Sequence, residues 1–267
     1  MESPTGKAYC SRCRNITLIP MKITFLGTNG WYDTETGRTT CLLVDTEECH
    51  IVLDAGNGFY KLDDLIKDEK PIFVFLSHPH LDHISGFHAL NKFKFKQGIK
   101  IYGQPGTKEL LNRIIASPFS VPFNMLPCQV EVEDVAEGHH EIPIRFECRY
   151  LIHSTPCFGY RFEIDGKVLS FCTDTGVCEN VIKLGKNADL MITECSFKPG
   201  EYSFTWPHLN PDDSISMAKN ANAKRLAFVH FDAAHYKTIA ERYEVIELMK
   251  EKFKDIIVGE DDKEISV

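Results

Sequence analysis

The segment Ser77-His78-Pro79-His80-Leu81-Asp82-His83 carries three imidazoles and a carboxylate within six residues. It follows the apolar run at residues 72–76, which is typical of a buried strand. Side chains two residues apart in an extended chain point to the same side, so the first two histidines can reach one divalent ion. The aspartate and the last histidine fall at the expected start of a helix, where they can serve a second ion about 3.5 to 4 Å away. The alternative, a histidine-rich surface loop, explains this spacing less well.

Further ligand-type residues also follow predicted strands. His153 comes after the strand predicted at 144–151, Asp174 after 167–171 and His230 after 226–229. We therefore expect distant parts of the chain to converge on one rim. The candidate ligands are His78, His80, Asp82, His83, His153, Asp174 and His230.

Both halves of the chain run from strands to helices. Helices are expected at 59–66, 84–90, 106–115, 177–184, 211–220 and 236–253. Asp165-Gly166 between two alternating strands predicts a tight hairpin. The segment Asp54-Ala55-Gly56 is either a strand-end turn with a helix cap or a part of the metal centre. The pattern predicts an α/β protein with two facing mixed sheets and helices outside.

Length and charge restrict the classes of protein. At 267 residues and 43% hydrophobic content the chain suits one large domain, which we place at 21–267. A net charge of -8 argues against a protein that coats nucleic acid, so nucleic acid stays open as a partner but is not favoured. A small anionic substrate fits, because bound metal ions supply local positive charge. A homodimer is left open.

Ten cysteines are scattered through the chain, and no secretory signal is recognised. We therefore expect a cytoplasmic protein with reduced thiols. No apolar run approaches the roughly 18 residues of a membrane span, so no membrane association is expected. Residues 1–20 form a polar extension in which Cys10 and Cys13 are either half of a zinc knuckle or part of a loosely ordered segment.

Three further blocks complete a family resemblance. With the ligand order, they resemble the metallo-β-lactamase fold and, within it, the ribonuclease Z branch, from about residue 21 to 235. The blocks are Gly27-Thr28-Asn29-Gly30, Leu53-Asp54-Ala55-Gly56 and Ala188-Asp189-Leu190-Met191-Ile192-Thr193-Glu194. The resemblance implies an αββα sandwich with a dinuclear metal site, in a branch whose members cleave phosphodiesters.

The resemblance also implies a role for each site residue. His78, His80 and His153 would bind one ion, Asp82, His83 and His230 the other, and Asp174 would bridge them. Two divalent ions are expected; the nitrogen and carboxylate donors suit zinc and permit manganese or iron. Asp82 can also accept the proton of the attacking water. His208 would protonate the leaving group and Glu194 would orient it, although by themselves they could be a surface histidine and a strand-end charge.

One departure from ribonuclease Z bears on the substrate. The tRNA 3′-processing enzymes carry a long flexible arm between the positions that His153 and Asp174 match, where only twenty residues stand here. With the acidic net charge, this disfavours tRNA maturation. Arm-less relatives such as the cyclic phosphodiesterase of the phosphonate-degrading pathway are more similar in spacing, although their cysteine-rich zinc site has no match in residues 31–38.

The leading hypothesis is a metal-dependent hydrolase, a phosphodiesterase that acts on a small or cyclic phosphodiester through water activated by two metal ions. Three alternatives stay open. They are a ribonuclease similar to the tRNA 3′-processing enzymes, a thioester or lactone hydrolase of the same fold, and a non-catalytic scaffold.

Overall fold

The computed structural model describes residues 21–141 and 144–267. Its strands are β1 (Lys22–Gly27), β2 (Asn29–Gly30), β3 (Cys41–Asp45), β4 (His50–Leu53), β5 (Ile72–Phe75), β6 (Ile99–Gly103), β7 (Val130–Asp134), β8 (Gly138–His140), β9 (Phe146–Tyr150), β10 (Phe158–Ile164), β11 (Lys167–Cys172), β12 (Leu190–Glu194), β13 (Leu226–Val229), β14 (Phe231–Asp232), β15 (Ile256–Val258) and β16 (Glu264–Ser266). The α-helices are α1 (Leu62–Leu65), α2 (Leu81–Ile84), α3 (Thr107–Ile114), α4 (Glu179–Leu184), α5 (Pro211–Asn220) and α6 (Ile239–Met249). Three 3₁₀ helices span Asn57–Lys61, Ser85–Lys92 and Phe123–Met125.

Two seven-stranded sheets have matching plans. The first has the order β16-β1-β3-β4-β5-β6-β7 and the second β15-β13-β12-β11-β10-β9-β8. In each sheet a run of antiparallel neighbours gives way to parallel ones, which in the first sheet are β4 to β7 and in the second β11, β12, β13 and β15. A short parallel pair, β2 with β14, lies apart from both. The predicted α/β architecture of two mixed sheets is confirmed.

The central strands are buried on both faces, which explains their continuous apolar sequences. In β4, Ile51 and Leu53 belong to the core between the sheets, whereas Val52 belongs to the core beneath the helices of the first sheet. In β12, Ile192 and Met191 divide in the same way between the inter-sheet core and the core beneath α4, α5 and α6. The inter-sheet core is rich in aromatic rings, and full burial of one such as Phe75 contributes about 1.5–3 kcal/mol.

The parallel strands determine where the polar residues lie. Carboxyl ends of parallel strands share one edge of a sheet, and loops at that edge commonly carry ligand sites. Asp54 follows β4, Ser77 and His78 follow β5, Asp174 follows β11, and His230 follows β13. The predicted convergence of strand ends therefore has a structural basis.

Several predicted elements differ in length or type. The helices expected at 59–66 and 84–90 are each a short α-helix joined to a 3₁₀ helix, and the one expected at 236–253 is α6, Ile239–Met249. In the second of these, the 3₁₀ helix Ser85–Lys92 packs closely on the Gly56 segment at Gly86. A Cβ at this position would lie 2.2 Å from the carbonyl oxygen of Gly56. The two-residue strands β2 and β14 and the three-residue strands β8 and β16 were not predicted, since they are too short for a periodic pattern.

Two expectations meet the structure only in part. In the described part of the chain, none of the helices has the length and apolar character required to cross a membrane. The eight cysteines of that part are free thiols. The extension at 1–20 and the Cys10 and Cys13 pair lie outside the described residues.

Candidate metal centre

The first group of predicted ligands comes together from three loops. The donor atoms of this group all lie within 4.8 Å of one another. Nε2 of His153 lies 3.3 Å from Nδ1 of His80 and 3.9 Å from Oδ2 of Asp174, which lies 3.8 Å from Nε2 of His78. The group consists of His78, His80, His153 and Asp174.

The second group is built around the first helical turn after β5. Asp82 and His83 lie in α2, as predicted, and His230 follows β13. Oδ2 of Asp82 is 3.5 Å from Nε2 of His83 and 3.4 Å from Nε2 of His230. These three residues also offer donor atoms within 4.8 Å of one another.

Asp174 lies between the two groups. Its Oδ1 is 3.2 Å from Nε2 of His83, and its Oδ2 is 3.2 Å from Nε2 of His230. The same Oδ2 also faces His78 and His153. A carboxylate with contacts to both groups has the position that a bridging ligand requires.

A buried network fixes the tautomers of two imidazoles. Nδ1 of His83 lies 2.7 Å from Oδ2 of Asp54, which also accepts a hydrogen bond from Oγ of Ser77 at 2.8 Å. Because that hydroxyl donates to Asp54, its oxygen can accept from Nδ1 of His78 at 3.0 Å. Nε2 is then the nitrogen that each ring turns towards the cluster. Both Nε2 atoms are buried and have no hydrogen-bond partner among the described residues, as expected for atoms that bind a metal.

The charges of the cluster suit cations. Burial lowers the pKa of His78, His80 and His153, so these rings are neutral at pH 7, the form that binds metals. Burial alone would raise the pKa of Asp82, but His83 and His230 outweigh it and lower the pKa far below its usual range. The residues present therefore fit a pair of divalent cations, although which of them bind metal remains a prediction.

Left-handed backbone conformations cluster at this site. Trp31, Asp54, Asp174 and His230 are non-glycine residues with φ of 72°, 57°, 51° and 50°. Such conformations are unfavourable and persist only where the surroundings impose them. Here they place Asp54 and the candidate ligands Asp174 and His230 at the ends of strands.

A histidine–carboxylate pair lies beside the cluster. Nδ1 of His208 is 2.8 Å from Oε2 of the fully buried Glu194. Glu194 also accepts hydrogen bonds from the backbone N–H of Thr175 and from Oγ of Ser196. Burial opposes the charged form of His208, but Glu194 outweighs it and raises the pKa of His208 to about 9. A donor atom of His208 lies within 4.8 Å of those of Asp174 and His230.

The structure adds residues that the sequence did not identify. The backbone N–H of Trp31 donates to Oδ2 of Asp82 at 2.8 Å. Gly30 packs so closely on the imidazole of His230 that a Cβ would lie 2.5 Å from Cε1. Oγ of Ser196, which donates to Glu194, lies 3.0 Å from Nδ1 of His230. This serine therefore connects the His208–Glu194 pair to the second group. Only the glycine turn at 27–30 gave a sequence signal; the other contacts join residues far apart in the chain.

Comparison with known proteins gives consistent results. A family model described as "Beta-lactamase superfamily domain" matches residues 50–231. A ribonuclease Z from Prochlorococcus marinus (strain MIT 9301) is 27% identical over 278 residues, covering 79% of this chain and 88% of its own.

Solved structures are similar over nearly the whole chain. The metallo-beta-lactamase fold protein YhfI from Bacillus subtilis has a TM-score of 0.76 and 21% identity, covering 93% of this chain and 99% of its own. Human tRNase Z, short form, has a TM-score of 0.71 and 23% identity, with coverages of 92% and 99%. A diphosphatase from the PhnP family has a TM-score of 0.70 and 18% identity, covering 93% of this chain and 98% of its own. At these identities the likeness establishes the fold.

Proposed function

Because the chain belongs to the beta-lactamase superfamily, we propose that it hydrolyses a small or cyclic phosphodiester with two bound divalent cations. The metallo-β-lactamase fold predicted from the sequence is confirmed, and the chain is a metal-dependent hydrolase of that fold. The substrate class, the number of ions and their identity belong to the proposal.

The two groups of donors would each hold one cation. His78, His80 and His153 would hold the first, and Asp82, His83 and His230 the second, with Asp174 shared. Bound there, the cations would lower the pKa of a water toward neutrality and offset negative charge on the phosphate oxygens. Zinc matches the imidazole-rich donor set best, and manganese or iron are the alternatives.

Asp82 is placed to take part in the proton transfer. It is ionised over the whole physiological range because its pKa is far below the usual value. The N–H of Trp31 holds Oδ2 and fixes the carboxylate relative to His230. A carboxylate with a low pKa is a weak base, so the role proposed for Asp82 rests on its position: it can orient the attacking water and receive its proton once bound cations have made that water more acidic.

The pairing of His208 with Glu194 carries the proposal. Hydrolysis of a phosphodiester expels an alkoxide, which leaves poorly unless it is protonated. Glu194 accepts from Nδ1 of His208 and favours the protonated ring. The ring lies beside the candidate ligands Asp174 and His230, so its other nitrogen can supply the proton at the reacting centre.

The variant His208→Ala tests this role. It should keep both metal ions yet lose roughly 10² to 10⁴-fold in rate on a diester with an alkyl leaving group. On a bis(nitrophenyl) diester the loss should be much smaller, since nitrophenolate departs without a proton. The measurement is kcat on both substrates, with metal content determined for each preparation.

Two outcomes would contradict the acid role. Equal losses on both diesters would mean that His208 binds the phosphate, and no loss on either would leave it without a part in turnover. As a matched control, His88→Ala removes an exposed histidine that belongs to neither donor group and should leave both rates unchanged.

A ribonuclease is the second candidate, favoured by the matching ribonuclease Z. Against a tRNA precursor as substrate, the twenty residues between His153 and Asp174 hold the hairpin of β10 and β11 and leave no room for an arm. A substrate panel separates the candidates: cyclic and linear dinucleotides, unstructured RNA and a tRNA precursor, each with zinc and with manganese. Preferential cleavage of the tRNA precursor would favour the ribonuclease.

A further inference from the structure

Both tryptophans of the chain lie at the mouth of the candidate active site. The chain has two tryptophans, Trp31 and Trp206. They line one cavity of about 670 Å³ together with Asp82, Asp174 and His208. A cavity of this volume is typical of a small-molecule site.

Trp206 packs against two histidines of the first donor group and against the proposed acid, His208. Its ring is parallel to that of His80, with 6.1 Å between centroids and 6° between planes. The ring centroid of His153 is 5.9 Å away, and that of His208 is 5.8 Å away. Nevertheless Trp206 remains 48% exposed, so much of its side chain is accessible to a ligand in the cavity.

Trp31 is hydrogen-bonded to the second donor group. Its backbone N–H donates to Asp82, its backbone is in the left-handed conformation, and its side chain lines the cavity. The side chain is 67% exposed, and neighbouring Leu81 is 75% exposed. Large apolar side chains contribute little to folding when they are this exposed. Grouped around a polar metal cluster, they indicate a binding surface.

We propose that Trp31 and Trp206 form a stacking subsite, so that the enzyme selects phosphodiesters whose ester substituent carries a planar ring such as a nucleobase. This proposal rests on the proposed phosphodiesterase function and adds the determinants of its specificity. An indole offers a broad flat face to a ring, whereas a sugar or an alkyl group gains much less from it.

The charges at the cavity favour one phosphate with its ring over a longer polyanion. Asp232 also lines the cavity, and its carboxylate would repel a second phosphate placed next to the first. The same carboxylate can accept a hydrogen bond from an amino group of a base. The tryptophan-lined opening of the cavity thus suits a nucleotide with a single phosphodiester.

Intrinsic fluorescence tests the subsite, because with two tryptophans in the chain all of the indole emission comes from this cavity. The metal-loaded protein is titrated with adenosine 5′-monophosphate and with ribose 5-phosphate, which share the phosphorylated ribose and differ in that a hydroxyl replaces the base. We expect the adenine compound to quench the emission and to bind about 5- to 150-fold tighter. Trp206→Ala should remove most of this preference, and Trp206→Phe should retain most of it.

Trp31→Ala should reduce the preference as well, with the remaining indole reporting on Trp206 alone. The matched control is Phe204→Ala, which removes a 92% exposed aromatic ring of the same loop that does not line the cavity; it should change neither affinity. Equal affinities for the two ligands, or a preference unchanged in both tryptophan variants, would overturn the subsite. Emission that changes with protein concentration alone, while the ligands bind equally, would assign the rings to contact with a second copy and also overturn it.

The two proposals fail in different ways. If no phosphodiester is hydrolysed but adenosine 5′-monophosphate is preferred through the tryptophans, the proposed function is wrong and the subsite stands. If phosphodiesters are hydrolysed with no preference for a ring in binding or in kcat/KM, the function stands and the subsite is wrong.

Discussion

Asp54 shows how a single residue outside the predicted ligand set organises the site. Its carboxylate binds the backbone N–H and the hydroxyl of Ser77 and the Nδ1 of His83. Through these bonds it sets the tautomer of His83 directly and that of His78 through the serine. The sequence left two interpretations of the Asp54 segment open, a strand-end turn with a helix cap or a part of the metal centre. These contacts support the second.

The ligand assignment predicts the metal content of a single-residue variant. Wild-type protein should contain about two ions per chain, because seven donors exceed what one tetrahedral zinc needs. His153→Ala removes a donor of the first group and should retain about one ion. His139→Ala, which changes an exposed histidine outside both groups, should retain both. Elemental analysis of protein purified without chelator makes the measurement, and a wild-type content of one ion or none would reject the dinuclear site.

The Glu194 pair predicts a pH dependence. An acid must be protonated to act, so kcat on an alkyl diester should fall as the pH rises through the pKa of His208, which Glu194 raises to about 9. Two bound cations would repel the positive charge of a protonated His208 and lower its pKa, so kcat would begin to fall at a lower pH. Glu194→Gln removes the favourable charge, and burial then lowers the pKa of His208. The falling limb of the pH profile should therefore move down by about one unit or more.

The same profile on a bis(nitrophenyl) diester is the internal control, because that leaving group needs no proton. Its alkaline limb should not move in the Glu194→Gln variant. An unchanged limb on the alkyl diester would show that His208 does not titrate as the acid.

Among the elements, the short pair of β2 and β14 positions one side of the site. It places Gly30 against the ring of His230 and continues into Trp31. The pair is supported by Arg242 of α6, whose guanidinium is fully buried and lies 4.4 Å over the ring of Phe231. The guanidinium donates to side-chain oxygens of Thr28, Asn29 and Thr36 and to the carbonyl of Gly259. Burial lowers the pKa of Arg242 to about 10, so it is still charged at pH 7.

Arg242→Met tests this support. Methionine fills much of the volume but leaves buried polar groups of the β2 segment without their charged donor, which should lower the free energy of unfolding by about 2–4 kcal/mol. Urea denaturation of metal-free protein measures the change. Arg113→Met, at a 76% exposed side chain of α3 paired with Glu109, should change stability by less than about 0.5 kcal/mol. Similar stabilities of the two variants would show that the buried network contributes little.

At the scale of the whole molecule, the candidate metal centre lies across the junction of the two sheets. Its donors His78, His80, Asp82 and His83 follow a strand of the first sheet, and His153, Asp174 and His230 follow strands of the second. Each donor group draws on both sheets. Bound cations would thus join the two halves of the fold as well as serve the reaction.

Metal removal should therefore destabilise the whole domain. A cation at 1,000 times its Kd stabilises the folded state by about 4 kcal/mol, which corresponds to roughly 10 °C in Tm for a chain of this size. Scanning calorimetry before and after treatment with a chelator measures the shift. Adding zinc back should restore the original Tm, and a Tm unaffected by the chelator would contradict a metal centre that joins the sheets.

The amino-acid sequence by itself determined the order of the longer strands along the chain, the positions of the polar residues at strand ends and the seven candidate ligands. These features are local: the two-residue period of a strand places His78 and His80 on one side, and an apolar run marks each buried strand. The type and length of short helices were less predictable, because contacts such as that of Gly86 with Gly56 come from packing.

Only the tertiary structure decided which distant residues meet. Asp54 with His83, Trp31 with Asp82 and Arg242 with Asn29 are pairs separated by 29, 51 and 213 residues. No periodic pattern relates such positions, since their contacts depend on which strands pair, in what register, and on how the two sheets face each other. Strand periodicity could therefore predict the candidate ligands, whereas the groups that orient them and the aromatic mouth above them required the fold.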